Sequence, residues 1–542
     1  MDGRVNRPVP LAERGARGDG RASRIVLVFL SILLLLLYSS FRTRNHYWDG
    51  IGFALNIEGT QQDALGLTAG HSDRPSISNV YFNPNHLGYN LMGFGLYRLL
   101  HPVFPTIRAL DLLTWLSTVL GVAACALLFL ILQRWFQDSR LSLGLTLLMA
   151  LSAAWWKFST DANVYVPSVF FLLLAAFVLT DFRERPSPAA VAALHTAAIL
   201  LHQIAFLFVP AVALALSKHP VDPDPKHRWK SLLAYGGTAG MLMAGAYLGV
   251  WFGILNGGWS LQEFLSWITF NSGGTFAFQS VESSLLESLR SSIRVMFGGR
   301  VKLALAFCSP PLLVLLIALM LGSLMFLAAG CRRIWRTPAR WGPESMPEPG
   351  TELLMRFCLY WTGSFVIFLL FWLTEYPYYR LFYLPAGVIL LGTIVKRTQA
   401  IGPLFAFVVF MAAFNFAAYI YPYSKPAATP PVRLALDAGV IWRHNAMVLY
   451  KDFTCDNWIM RYFNPQTIWR RVESAEHGFS PAQAHEALQQ GRAVWIDTSL
   501  LGHLNSSPDA RRRVETHFEI GETLGVTNGK HYIQFARLTP VD

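Results

Sequence analysis

Residues 25–50 read IVLVFLSILLLLLYSSFRTRNHYWDG. The stretch 25–41 carries no charge and is long enough, as a helix, to cross the hydrocarbon core of a bilayer. Arg42 and Arg44 follow it, and no small-residue cleavage site does, so the run reads as a retained helix rather than a signal peptide. Before it, Arg4, Arg7, Arg14, Arg17, Arg21 and Arg24 sit in a segment poor in apolar residues. That makes residues 1–24 a disordered cytoplasmic tail. The helix then delivers Tyr47-Trp48-Asp49-Gly50 to the opposite face, just beyond the first crossing.

The pattern repeats along the chain. Further apolar runs are expected to span near 110–132, 141–156, 166–180, 190–201, 204–216, 232–254, 303–329, 357–373, 381–395 and 401–421, about eleven transmembrane helices in all. The pair 190–201 and 204–216 also reads as one re-entrant unit. Basic residues fall in alternate breaks: Arg134 and Arg140; Arg183 and Arg185; Lys218, Lys226, Arg228 and Lys230; Arg332, Arg333, Arg336 and Arg340; Lys396 and Arg397. The positive-inside rule places these in the cytoplasm. The loop 256–302 carries Arg290, Arg294, Arg300 and Lys302 on the other side, which its length permits. The 542 residues are 53% hydrophobic and only 14% charged, and mean hydropathy is +0.36. A soluble chain is nearer roughly a quarter charged, so lipid has to be part of the solvent. The net charge of +12 is accounted for by the tail and the short loops, without nucleic acid. Four of the five cysteines lie in or beside apolar runs, and no CxxC occurs.

Three pieces are expected outside the cytoplasm: 42–109, 256–302 and the tail 422–542. In the tail, AMVLYKD (446–452) and AVWIDT (493–498) read as buried strands, and 481–490 reads as a helix. Asn528-Gly529 between two β-rich runs is a hairpin signal, since both residues tolerate φ > 0. The fold class is therefore mainly α: a polytopic membrane domain over 25–421, followed by a C-terminal extracytoplasmic α/β domain.

The first outer loop is dense in polar and aromatic residues, among them His46, Asp49, Asn56, Glu58, Asp63, His71, Asp73, Tyr81, His86 and Tyr89. Asp49 stands at the membrane–water interface, level with lipid phosphates. A carboxylate there is suited to act as general base on an acceptor hydroxyl. Equally, Asp49 reads as the N-cap of a helix starting at Gly50. Helical spacing puts Asp49 and Asn56 on one face and turns Glu58 away, against a paired-carboxylate site. Arg380, an outer cation among Tyr376, Tyr378 and Tyr379, reads as a phosphate-binding guanidinium, with interfacial snorkelling as the plain alternative. His202 reads first as a structural hydrogen-bonding residue. Lys157 and Asp161 either contact a donor or pair at the surface, and Arg290, Arg294 and Arg300 read first as a solvated helix face, with attraction of an anionic lipid headgroup as the alternative. His71 and Asp73 lack the spacing of a metal site, so a divalent metal is conceivable but unsupported.

Taken in order, these elements resemble the GT-C superfamily of integral-membrane glycosyltransferases. The layout is nearest the protein O-mannosyltransferases and the bacterial lipid A aminoarabinose transferase. The parallels are Asp49, the turn Asn83-Pro84-Asn85-His86-Leu87-Gly88-Tyr89, the amphipathic 91–100, Arg108 before the second span, Tyr165 followed by Pro167, Leu201-His202-Gln203 with Pro210, and Tyr379-Arg380-Leu381-Phe382-Tyr383-Leu384-Pro385. The family often has adjacent acids at the first site, where this chain has Asp49-Gly50, and its His-Pro-Pro turn is only partly kept. The resemblance implies transfer of a sugar from a polyprenyl-phosphate donor to a hydroxyl of a protein, lipid or glycan acceptor on the outer face, in a bacterial inner membrane. It implies Asp49 as base, with Arg380, Tyr379 and Arg108 at the donor phosphate or lipid. Glu58, His86, Tyr89, Tyr165 and His202 would contact donor or acceptor. A multi-span lipid or glycolipid flippase and an inactive scaffold of the same fold are the alternatives. The low interior charge of the spans and the polar outer loops favour interfacial chemistry over transport.

Overall fold

The computed structural model describes residues 19–58, 83–181, 183–219, 225–269, 281–336, 349–442, 445–450, 455–472, 479–501, 508–527 and 532–541. Asp63, His71, Asp73, Tyr81 and the Asn528-Gly529 turn lie outside them.

The helices run α1 (Asp19–Ser40), α2 (Trp48–Glu58), α3 (Leu87–Leu100), α4 (Ala109–Phe136), α5 (Ser139–Ala150), α6 (Ala153–Ser159), α7 (Tyr165–Leu179), α8 (Pro188–Leu201), α9 (Val209–Ser217), α10 (Pro225–Gly253), α11 (Leu261–Ile268), α12 (Val281–Met296), α13 (Val301–Phe307), α14 (Pro310–Arg336), α15 (Pro349–Leu369), α16 (Leu384–Thr398), α17 (Ile401–Asn415) and α18 (Pro430–Trp442). Among the described residues, five helices are long and apolar enough to cross a membrane: α1, α4, α14, α15 and α17 with its continuation to Tyr423. The pair α5–α6 meets the same test as one unit but bends by 71°. α7, α8 and the stretch Gln203–Ser217 are shorter apolar helices. The expected span near 303–329 is broken into α13 and α14, because Pro310 and Pro311 cannot continue the preceding helix.

Local chemistry explains the breaks. Gln137 ends α4 in the left-handed region at φ 50°, and Asp138 caps α5 by accepting from the backbone N–H of Arg140 and Leu141. At the α5–α6 bend, Tyr38 of α1 donates to the Ala150 carbonyl at 2.7 Å. Buried Asn415 donates to the carbonyls of Leu151 and Met296 and accepts from the Gly298 N–H. The freed backbone groups are thereby satisfied inside the protein, as a water-poor setting requires.

The C-terminal part builds a five-stranded sheet from β1 (Ala446–Tyr450), β2 (Ile468–Arg471), β3 (Ala493–Asp497), β4 (Phe518–Thr527) and β5 (Tyr532–Pro540), in the order β2-β1-β3-β5-β4. β1 pairs parallel with β2 and β3, and β5 runs antiparallel to β3 and β4. Helices α19 (Cys455–Phe463), α20 (Pro481–Gln489) and α21 (Pro508–Glu515) connect them. One face (Met447, Leu449, Val494, Ile496) packs with Ala484 and Ala487 of α20 and Val514 of α21. The other (Val448, Tyr450, Trp469, Trp495, Phe535) joins the apolar core of the membrane helices. That continuity is why α19 comes to rest on α2.

Candidate active site

α2 begins at Trp48, so Asp49 lies in its first turn rather than capping it. The cap function falls to a residue far along the chain. Asp161, fully buried, accepts from the Tyr47 backbone N–H at 2.7 Å through Oδ2. Its Oδ1 meets His46 Nδ1 at 3.0 Å and the Ala162 N–H at 2.9 Å. Lys157 Nζ donates to Oδ2 at 2.5 Å. Burial acts to raise the Asp161 pKa, but the Lys157 charge and the His46 contacts outweigh it and hold the carboxyl below its usual range. Lys157 and Asp161 therefore form an interior clamp on the entry to α2, the buried version of the surface pair expected from sequence.

Gly50 and Gly52 let two surfaces close on this helix. A Cβ at Gly50 would stand 2.3 Å from the Ala162 carbonyl oxygen, and one at Gly52 would meet the Trp458 ring of α19 at 2.9 Å. Gly50 thus occupies a position where a second acid would collide with backbone.

Among the described residues, nothing hydrogen-bonds or ion-pairs with the Asp49 carboxylate. It is half-buried, and burial pushes its pKa up to about 6. Its charge helps raise the pKa of Tyr47, second to burial, and also that of Tyr379, after burial and the Tyr47 charge.

The tyrosines beside it form a continuous wall. Tyr47 donates to the Tyr378 hydroxyl at 2.8 Å, and the Tyr165 hydroxyl approaches Tyr47 at 3.4 Å. The Tyr165 ring lies 4.7 Å from Tyr378 and 5.7 Å from Tyr379. The wall continues through His202, 5.4 Å from Tyr165, to His86, 4.8 Å from His202. Phe53 of α2 closes it against His86 and Tyr89. Burial lowers the His86 pKa to about 4, and burial together with His86 lowers that of His202, so both rings are neutral near pH 7. His202 Nδ1 accepts from the Ile204 N–H, as befits the turn. Five residues singled out from sequence, His86, Tyr89, Tyr165, His202 and Tyr379, therefore converge on one aromatic surface beside α2.

Glu58 and Arg108 are elsewhere. Nine residues along α2, Glu58 is about 13 Å from Asp49 in axial rise. It takes two hydrogen bonds from Arg108 Nε, at 2.9 and 3.1 Å, and one from Nη2 at 2.8 Å, and it accepts from the Ala109 N–H at the start of α4. Tyr462 of α19 donates to Glu58 and lies under the guanidinium, 4.1 Å from ring centre to Cζ. This group joins α2, α4 and the C-terminal part. A cleft lined by Arg42, Arg44, His46, Arg108, Tyr462 and Phe463 opens beside it.

Arg380 is 2% exposed. Its guanidinium donates to the carbonyls of Thr374, Tyr376 and Ser288 and to the hydroxyls of Ser288 and Ser292. Burial pulls its pKa down. Among the described residues it has neutral acceptors and no carboxylate within ion-pair distance. Three of these five acceptors, on Ser288 and Ser292, belong to α12, from the long loop 256–302. On the same helix Arg290 pairs with Glu287 at the surface. No three His, Cys, Asp or Glu side chains among the described residues converge as a metal site.

No protein-family model matches the chain. No curated protein matches it either. Two solved structures are similar along most of its length. The crystal structure of ArnT from Cupriavidus metallidurans bound to undecaprenyl phosphate is 11% identical with a TM-score of 0.47, covering 96% of this chain and 98% of that one. ArnT from the same organism in the apo state is 12% identical with a TM-score of 0.40, covering 95% and 98%.

Proposed function

We propose that the protein is a GT-C-type glycosyltransferase that moves a sugar from a polyprenyl-phosphate donor to an acceptor hydroxyl on the extracytoplasmic side of the membrane. The observation that carries the reading is Asp49: an unpaired, half-buried carboxylate with a pKa near 6, in the first turn after the first span, held there by the Asp161 clamp. A base of that pKa is ionised at neutral pH and still close enough to it to take a proton in the transition state. The sugar's leaving group is a phosphate, so the work left to the protein is to orient the hydroxyl, remove its proton and offset the phosphate charge. The wall of Tyr47, Tyr165, Tyr378 and Tyr379 offers flat faces and hydroxyls for the sugar. Arg380 is assigned to the donor phosphate, since its acceptors are neutral groups that an anion outcompetes. His86, Tyr89 and His202 extend the sugar surface. Glu58 and Arg108 hold the donor side indirectly, through the junction with α19. A single displacement by the acceptor oxygen inverts the anomeric centre.

The test is incubation of the purified protein with a panel of radiolabelled polyprenyl-phosphate sugars and candidate acceptors. Release of free polyprenyl phosphate with one donor supports the reading and names the sugar. Transbilayer movement of an intact glycolipid in vesicles, without cleavage, would instead make the protein a flippase.

A further inference from the structure

The most anomalous side chain in the C-terminal part is Arg461, on α19. It is 2% exposed, and its Nε, Nη1 and Nη2 are all buried without a hydrogen-bond partner. The five N–H donors of a guanidinium are ordinarily satisfied when it is withdrawn from water. Its guanidinium faces the Tyr450 ring, 5.7 Å away, and a ring face answers only part of a desolvated charge. Arg134, Arg108 and Arg380, by contrast, each have carbonyl, hydroxyl or carboxylate partners.

Its position is informative. Tyr450 ends β1, the strand flanked on both sides by parallel neighbours. α19, which follows β1 in the chain, packs on the face that meets the membrane helices, whereas α21, which follows β3, packs on the other face. Adjacent parallel strands whose connections diverge to opposite faces leave a crevice at their carboxyl ends, where open α/β sheets bind ligands. Asn457, one turn before Arg461 on the same side of α19, is also buried.

We infer that Arg461 is the anchor of a phosphate-class oxyanion site in the C-terminal part, entered at the carboxyl ends of β1 and β3. A guanidinium matches two oxygens of a tetrahedral phosphate at once, and burial strengthens that contact. The inference does not rest on Asp49 or Arg380 and stands whether or not the transfer reaction does. Trp458 of α19 packs on Gly52 of α2, so an occupied site would also brace the helix that carries Asp49.

The experiment is thermal unfolding of the full chain in detergent, titrated at constant ionic strength, for wild type, R461M and R461K. The probes are inorganic phosphate with chloride as control, and a polyprenyl phosphate with the matching polyprenol as control. In the wild type, saturable stabilisation by phosphate is expected, at least about tenfold weaker in R461K and absent in R461M. Without ligand, R461M is expected to unfold at or above the wild-type temperature, because removing an unpaired buried charge relieves a cost. Response to the lipid phosphate alone assigns the anion to a lipid headgroup, and response to inorganic phosphate to a soluble source. Equal responses in all three proteins, no response to any probe, or an R461M that unfolds below the wild type without ligand overturns the inference. Should R461M not fold, R461K decides: weaker binding supports the site and unchanged binding removes it.

Discussion

Replacing Asp49 by Asn is expected to abolish turnover yet stabilise the fold at neutral pH. The carboxyl's pKa is displaced from 3.8 to about 6 by burial alone. Such a displacement corresponds to roughly 3 kcal/mol, at about 1.36 kcal/mol per pKa unit. Because Asp49 keeps part of its solvent contact, we take about 1–2 kcal/mol as the realistic share. The sign follows from linkage. A raised carboxyl pKa means the folded state holds its proton more tightly than the unfolded one. Below pH 3.8 both states are protonated, and the residue costs nothing. Between 3.8 and about 6 the cost of the buried charge grows, and above 6 it is complete. Asn lacks that charge, so the advantage of Asp49→Asn should be present at pH 7.5, shrink through pH 6 and vanish near pH 4. The assay is thermal unfolding of both proteins in detergent across that range, where about 1–2 kcal/mol moves Tm by a few degrees (~2–4 °C). A variant that is less stable than wild type at pH 7.5, or whose advantage is independent of pH, refutes the argument that Asp49 is an unpaired, desolvated base.

Other perturbations probe its supports. Gly50→Ala brings a methyl onto the Ala162 carbonyl and should cost about 1–3 kcal/mol, with activity falling further than stability because Asp49 moves with α2; parallel unfolding and turnover assays check this. Asp161→Asn strands the Lys157 ammonium in the interior and is expected to destabilise by about 3–5 kcal/mol, with much of the loss recovered when Lys157→Met is added; a double-mutant cycle of denaturation measurements reads the coupling. Tyr462→Phe removes the hydroxyl that donates to Glu58 and accepts from the Leu110 N–H, at about 1 kcal/mol or somewhat more, and protease sensitivity of the C-terminal part should rise with it.

What was legible in the sequence was local or periodic. The apolar run 25–41, the strands 446–450 and 493–497 and the helix near 481–489 all announce themselves within a few residues. Asp49 stands out in the sequence because it lies a few residues beyond the first apolar run, at the level of lipid phosphates. Its support does not, since the Asp161 carboxylate that fixes the Tyr47 N–H comes 114 residues later. The Glu58–Arg108 pair spans 50 residues and its Tyr462 partner 404, so neither leaves a spacing signal. Burial was also hidden: Lys157 and Asp161 look like surface charges in a sequence, and only packing reveals that α2 closes over them. Strand β2 was missed because Ile468–Arg471 is four residues long and half of it is arginine. Ser309-Pro310-Pro311 lies inside the apolar run 303–329, and hydropathy alone does not show that it divides the segment into two helices.

The most direct test of the account is single-turnover transfer from a radiolabelled polyprenyl-phosphate sugar, at pH 7.5, by wild type, Asp49→Asn and Arg380→Ala, with donor binding measured on the same samples. The account predicts release of polyprenyl phosphate by the wild type and undiminished donor binding without turnover for Asp49→Asn. It predicts weakened binding for Arg380→Ala. Turnover by Asp49→Asn at the wild-type rate would contradict it.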